Sequence, residues 1–342
     1  VKLRKALSSK WYVDPDIFQK EREVIFKRGW WPFTPLHNLA NPGDYVADSV
    51  CSWPAFALRG KDGELRTFLN ICRHRGASLL PPGSGNVDSI SCPYHGWLYG
   101  DDGRLLKTPR FGAQLESEYR QLSLQRIGHK VWNGMIFVQI DQDEGLSFGE
   151  WIGEVDDLCK SFAGPANLDY YGKFQVTGDL NWKTYCDNTV EGYHLRFVHP
   201  RLAKTLSAGN VELRCVNNGR SVVFDVAYGR DGADLRGKQG TWVYHFPGMQ
   251  LVLGDKLFKI ERVEATAVGS VRSTNWAWYG GLSDAEREDA FVWARQIVEE
   301  DFAICSSVTK NMASGSYIPG PLSPAMEQHV MQFQDRIREL IG

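Results

Sequence analysis

Cys72-Arg73-His74 and Cys92-Pro93-Tyr94-His95 place four metal-ligand side chains in two tight clips, CxH and CxxH, with 17 residues between them. Two thiolates and two imidazoles at this spacing can hold zinc tetrahedrally. They can equally hold a 2Fe-2S cluster in which two histidines replace two cysteines on one iron. Spacing alone leaves both open. The flanks help: Arg75-Gly76 follows the first clip and Gly96-Trp97 the second. Glycine there lets backbone amides approach bridging sulfides and raise the potential.

A second candidate set follows Asp187-Asn188-Thr189-Val190-Glu191-Gly192-Tyr193, namely His194 and His199. Residues five apart do not share one face of a regular helix, so the two rings converge only if the helix ends or loosens between them. Pro200 disfavours helix at His199. Two histidines and one carboxylate on one side of an iron form a facial triad, with the other side open to oxygen and substrate. For the carboxylate, Glu299, Glu300 and Asp301 lie in a long predicted helix. Turning roughly 100° per residue from Phe291, Asp301 falls at about 280°, with the apolar Ala294, Val298, Cys305, Val308 and Met312. Glu300 falls at about 180° and Glu299 at about 80° on the same wheel. Asp301 therefore points into the core, where an unpaired carboxylate is costly and a metal is a natural partner.

Cys-Arg-His-Arg-Gly at 72–76 and Cys-Pro-Tyr-His-Gly-Trp at 92–97 resemble the cluster signature of Rieske domains in ring-hydroxylating oxygenases. Asn181-Trp182-Lys183, Asp187-Asn188, Glu191-Gly192-Tyr193-His194 and His199-Pro200 resemble that family's iron-binding helix, and Glu300-Asp301 its distal carboxylate motif. The resemblance runs from Trp11 to Gly320-Pro321-Leu322-Ser323-Pro324. It implies a 2Fe-2S cluster with Cys72 and Cys92 on one iron and His74 and His95 on the other. It implies Fe(II) held by His194, His199 and Asp301. The implied fold is α+β, an N-terminal all-β Rieske domain followed by a helix-grip-like catalytic domain with an antiparallel sheet. The implied activity is that of the alpha, or terminal oxygenase, subunit: a mono- or dioxygenase using O2 as co-substrate. A chain of 342 residues resembles in length the members that form homotrimers of one subunit type.

Many members carry Asp where this chain has Glu191, the residue taken to link an iron histidine to a cluster histidine of the next subunit. The resemblance therefore implies that Glu191 joins His194 to the partner subunit's His95, with one methylene more of reach. Asp187 stands where some members have Asn; a pocket carboxylate there would favour a cationic substrate, and plain hydrogen bonding or solvent exposure is the alternative.

The elements that must position these groups are legible in outline. Apolar Ile17, Phe18, Val24 and Ile25 behind Asp14-Pro15 predict an N-terminal helix within residues 1–29 that packs on the catalytic domain. Turn signals such as Asn41-Pro42-Gly43-Asp44 and Pro81-Pro82-Gly83 break residues 30–140 into short strands, ending in a buried strand over Val131–Val138. Residues 141–342 read as the catalytic domain, with a helix at about 180–196, strands over about 211–280 and a long helix over about 284–312. Ser283-Asp284-Ala285-Glu286 opens that helix as a capping box.

Composition narrows the partners. With 43% apolar residues the chain can bury two cores, and 39 Lys plus Arg against 41 Asp plus Glu argue against nucleic acid. No apolar stretch approaches the roughly 20 residues of a membrane span. The start lacks a signal-peptide core, so a cytoplasmic location is expected; Val1 in place of Met leaves a removed targeting segment open. Seven cysteines, odd and sparse, argue against disulfides, and the five outside the clips are expected to be buried apolar side chains. No GxGxxG fingerprint and no second cysteine cluster are present. A separate ferredoxin or flavin reductase is then expected to deliver electrons from NAD(P)H, with Arg73, Arg75, Arg104 or Lys107 as docking candidates, although such basic residues are more often merely solvated.

Two rivals stand against the oxygenase. An electron carrier bearing only the Rieske cluster would leave His194, His199 and Asp301 without a role, and a zinc-clip binding module would hold no sulfide. Hydroxylation of an aromatic or other small organic compound is the leading chemistry, with N-demethylation or cleavage of a quaternary ammonium second. Trp242, Tyr244, His245, Phe246, Trp276, Trp278 and Tyr279 are available for a pocket or an aromatic cage, although core packing is expected for most of them.

Overall fold

The computed structural model describes residues 3–112, 121–162, 164–229 and 239–342, with residues 207–210 described by their backbone alone. The chain divides into two units, Lys27–Phe148, and Val1–Phe26 together with Gly149–Gly342.

The first unit is all β. β1 (Trp31–Pro35) pairs antiparallel with β10 (Met135–Gln139), itself a hairpin partner of β9 (Gly128–Trp132). β2 (Asp44–Val50), β3 (Trp53–Arg59), β4 (Leu65–Leu69) and β5 (Gly83–Asn86) form a sheet in the order β4-β3-β2-β5. β6 (Ile90–Ser91), β7 (Leu98–Tyr99) and β8 (Leu105–Lys107) form a smaller one. The single strand expected over Val131–Val138 is instead the β9–β10 hairpin. Asn133 and Gly134, at φ +46° and +68°, turn the chain there, as Asn-Gly does in two-residue hairpin loops. The unit also extends beyond 30–140, because the Asp141 N–H donates to Lys27 O and the Trp30 indole to Leu146 O.

The second unit is built on an antiparallel seven-stranded sheet. Its strands are β11 (Asp169–Gly178), β12 (Leu206–Val216), β13 (Ser221–Tyr228), β14 (Gln239–His245), β15 (Met249–Gly254), β16 (Leu257–Ala267) and β17 (Ser270–Tyr279). They lie in the order β11-β17-β16-β15-β14-β13-β12. Before the sheet come α1 (Lys10–Val13), α2 (Pro15–Glu21), α3 (Phe148–Ile152) and α4 (Glu154–Lys160). Asp14 caps α2 by accepting from the Asp16 N–H, with Pro15 in the first turn.

Between β11 and β12 the helix expected at about 180–196 ends early as α5 (Trp182–Thr189), and two further short helices follow, α6 (Leu195–Val198) and α7 (Pro200–Thr205). The long helix α8 (Asp284–Ala313) opens with the complete Ser283/Glu286 capping box, and α9 (Gln328–Ile341) closes the chain. No helix among the described residues is long and apolar enough to cross a membrane.

Asn181-Trp182-Lys183 anchors α5. The Asn181 side chain accepts from the Lys183 N–H and donates to Tyr12 O and Val268 O. Lys183 Nζ lies 2.5 Å from Glu21 Oε1, and Trp182 Nε1 donates to Glu21 Oε2 at 2.8 Å. Both partners of this ion pair are buried, so the pairing offsets a desolvation cost that either charge alone would leave unmet.

Candidate metal centres

Both clips of the first unit close in the same way. The Cys72 N–H donates to Ala77 O and the Gly76 N–H to Cys72 O, at 2.8 and 3.0 Å; Cys92 N–H to Trp97 O and Gly96 N–H to Cys92 O repeat those distances. Gly76 and Gly96 sit at φ +74° and +70°, the left-handed region that disfavours a side chain. The glycines are thus needed by the turns themselves, besides any access they give to sulfide.

Cys72 and Cys92 are buried among Phe56, Phe68 and Leu105. The His74 ring stacks on Trp97, centroids 4.7 Å apart at 7°, and lies 4.7 Å from the ring of the exposed His95. Tyr99 Oη stands 3.3 Å from Cys72 Sγ. His74 Nδ1 is buried with no hydrogen-bond partner among the described residues, and burial pushes the Cys92 thiol up. A cationic cluster suits this set. It would take the orphaned ring nitrogen and hold the thiols as thiolates, a state that burial opposes at Cys92.

In the second unit the chain breaks twice around the histidines. α5 ends at Val190, His194 is the N-cap of α6, and His199, at φ −120° and ψ 65°, both ends α6 and precedes Pro200 at the start of α7. The interrupted backbone brings together an i, i+5 pair that a continuous helix would separate. His194 Nδ1 donates to Glu191 Oε1 at 2.6 Å, and Glu191 Oε2 accepts the Tyr193 and His194 N–H groups. His199 Nδ1 donates to Glu300 Oε2 at 2.7 Å. With each Nδ1 engaged, the two Nε2 atoms lie 3.7 and 2.9 Å from Asp301 Oδ1. One ligand atom from each of His194, His199 and Asp301 fits within 4.8 Å of the others. Two imidazoles, held by carboxylates behind them and facing a third carboxylate, are a donor set for a divalent cation.

Asp301 comes from the inward stripe of α8, with Val298, Cys305 and Met312 buried beside it; Val308, placed on that stripe by the wheel, is exposed. The wheel also set Glu300 aside, yet its longer side chain reaches His199 from a neighbouring face. Asn188, not singled out from sequence, donates to Asp301 Oδ1 at 2.7 Å. The DN pair before the histidines was a visible signal for Asn188. Nothing local signalled Glu300's partner, 101 residues away.

Beside the three ligands opens a cavity of about 130 Å³, roughly ten times the 10–15 Å³ that one water needs. Its walls are largely apolar, with Phe224, Trp242 and Leu257 from the sheet and Ala290, Ala294 and Ile297 from α8. Of the seven aromatic candidates, Trp242, Tyr244 and Tyr279 line it. His245, on the other face of β14, is buried against Ser221 and Trp151, and burial pushes it down to about 3.

Asp187 requires a correction. It does not line the cavity; its carboxylate accepts from Tyr12 Oη at 2.5 Å and from Gln334. On α5 it faces away from Asn188 and Thr189, and burial pushes it up to about 7. Of the two readings of Asp187, the hydrogen-bonding one holds and the pocket role in selecting a cation does not. Cys215 also departs from expectation, being part exposed with its Sγ 3.1 Å from His329 Nδ1.

Residues 29–122 match the model of the Rieske [2Fe-2S] domain. Residues 165–255 and 260–342 match that of the ring hydroxylating alpha subunit, catalytic domain. The chain belongs to the ring-hydroxylating alpha-subunit family. It is 28% identical to choline monooxygenase of Spinacia oleracea over 70% of this chain and 55% of that one. It is 30% identical to the alpha subunit of 2-aminobenzenesulfonate 2,3-dioxygenase of Alcaligenes sp over 58% and 51% of the two chains. The chain thus spans about half the length of these curated relatives. A solved quaternary ammonium Rieske monooxygenase superposes with a TM-score of 0.86 at 20% identity, covering 99% of this chain and 96% of that one. At that identity the likeness is one of fold.

Proposed function

We propose that this chain is the terminal oxygenase component of a Rieske non-haem iron system that hydroxylates an aromatic or other small organic compound. The observation carrying this is the constellation of His194, His199 and Asp301 at the wall of a largely apolar cavity, in a chain that also holds the two clips. Cys72, Cys92, His74 and His95 would hold the 2Fe-2S cluster, and His194, His199 and Asp301 the Fe(II). When bound, the cluster supplies electrons one at a time and the mononuclear iron activates O2.

The chain's own residues do the positioning. Glu191 and Glu300 fix the tautomer of His194 and His199 by accepting a hydrogen bond from each Nδ1–H, which would leave Nε2 for the metal. Asn188 orients Asp301 and occupies one lone pair of its Oδ1. The apolar walls would hold a substrate beside His194, His199 and Asp301 and exclude water from it. Glu191 would also link His194 to the partner subunit's His95, in a homotrimer fed by a ferredoxin or flavin reductase.

The test is single turnover. Chain loaded with cluster and Fe(II), chemically reduced and exposed to ¹⁸O2 with a panel of small aromatic compounds, should return an ¹⁸O-labelled product. A chain that passes electrons to an acceptor but never labels any compound would favour the electron-carrier reading.

A further inference from the structure

The cavity wall is not uniformly apolar. Residues opposite one another across antiparallel strands share a face, and the register sets Lys259 beside Val252 and Ala277, and Glu261 beside Gln250 and Asn275. Two adjacent rows of one sheet face therefore turn Gln250, Lys259, Glu261 and Asn275 to the side that carries Leu257, Trp242 and Phe224. A cation in such a wall costs free energy unless it is paired, and Lys259 is both paired and nearly buried. Its Nζ lies 3.0 Å from Asn275 Oδ1 and 3.3 Å from Glu261 Oε2.

The two halves of this pair are not equivalent toward a ligand. Glu261 is 1% exposed, and its carboxylate also accepts from Tyr185 Oη at 3.0 Å and Ser273 Oγ at 2.7 Å. Lys259 keeps 11% of its side chain exposed. Its ammonium has three N–H bonds and two acceptors among the described residues. The other carboxylates of the lining are engaged as well, Glu191 with His194 and Asp301 with His199 and Asn188. Lys259 thus offers a guest in this cavity an ammonium N–H.

We propose that Lys259 is a specificity-determining residue that binds an anionic group of the substrate, a carboxylate or sulfonate, while the apolar walls hold its hydrocarbon part. This rests on the oxygenase reading of the same cavity and names its substrate class. A quaternary ammonium substrate would meet the like charge of the Lys259 ammonium in this cavity.

The test uses the full chain loaded with cluster and Fe(II), with iron and sulfide assayed first. Failure of that loading counts against the oxygenase reading, whereas the binding order counts only for or against the anion. Dissociation constants are measured by calorimetry for benzoate and hexanoate, for the neutral benzamide, and for phenyltrimethylammonium. A charge-assisted hydrogen bond should make benzoate bind at least about 10-fold tighter than the cation. Lys259→Gln, which can still donate to Glu261 and Asn275, should weaken benzoate by about 10-fold while leaving benzamide within about 2-fold. Lys259→Met serves as a second variant, and the wild-type order needs neither to fold. Equal or tighter binding of the cation, benzoate affinity unchanged in Lys259→Gln, or no measurable binding of either carboxylate would each overturn the proposal.

Discussion

The two candidate centres are built by opposite strategies. The cluster clips gather four ligands from two short loops that close with the same hydrogen bonds. Each clip is a local motif whose shape its own glycine fixes. The mononuclear site takes two histidines from a broken helix and its carboxylate from α8, about a hundred residues further along. Its geometry depends on how α5, α6 and α8 pack. A local site survives as long as its loops do; a distributed one inherits every fault in the scaffold between its parts.

That contrast can be broken or sharpened. The largest effect should come from Asp301→Ala or His199→Ala, which remove a ligand without touching the clips. Product formation in single turnover should fall on the order of 1,000-fold while the visible spectrum of the cluster is unchanged. Next is the scaffold: Glu21→Ala leaves Lys183 buried and unpaired and should cost about 3–5 kcal/mol of stability in denaturant unfolding, with loss of the mononuclear iron before the cluster. Glu300→Ala releases His199 Nδ1 and should weaken Fe(II) binding by about 10–100-fold in a chelator competition, whereas no change would remove Glu300 from the site.

The smallest concerns Asp187, whose folded pKa is raised by burial to about 7. Between about pH 4 and about 7 the folded state then binds more protons than the unfolded one. Its contribution to stability falls as pH rises through that window, by at most about 1.4 kcal/mol per pH unit, and is level above it. Asp187→Asn should flatten this slope in melting temperature against pH; an unchanged slope would assign it to other groups.

How far each centre could be read from sequence follows from the same contrast. The clips were visible because ligands two or three residues apart need no long-range packing to meet. His194 and His199 were visible too, since Pro200 and the five-residue spacing demanded a helix break, and helical periodicity pointed Asp301 inward. What stayed hidden is what packing decides. Glu300 lies off the inward stripe yet reaches His199 because a glutamate is long. Asp187, one residue from Asn188, faces Tyr12 and Gln334 instead of the cavity. Lys259 and Glu261 share a face by strand alternation, but Asn275 joins them only through the register of β16 with β17, which no single strand encodes. The Asn133-Gly134 hairpin was legible in principle, and the apolar run on both sides masked it.

Metal analysis of three proteins side by side tests the central claim of two independent centres most directly. Anaerobically purified and reconstituted wild type should hold about three irons and two acid-labile sulfides per chain, Cys92→Ser about one iron and no sulfide, and His199→Ala about two irons and two sulfides. Wild type that binds zinc and no sulfide, or a His199→Ala variant that keeps all its iron, would contradict the account.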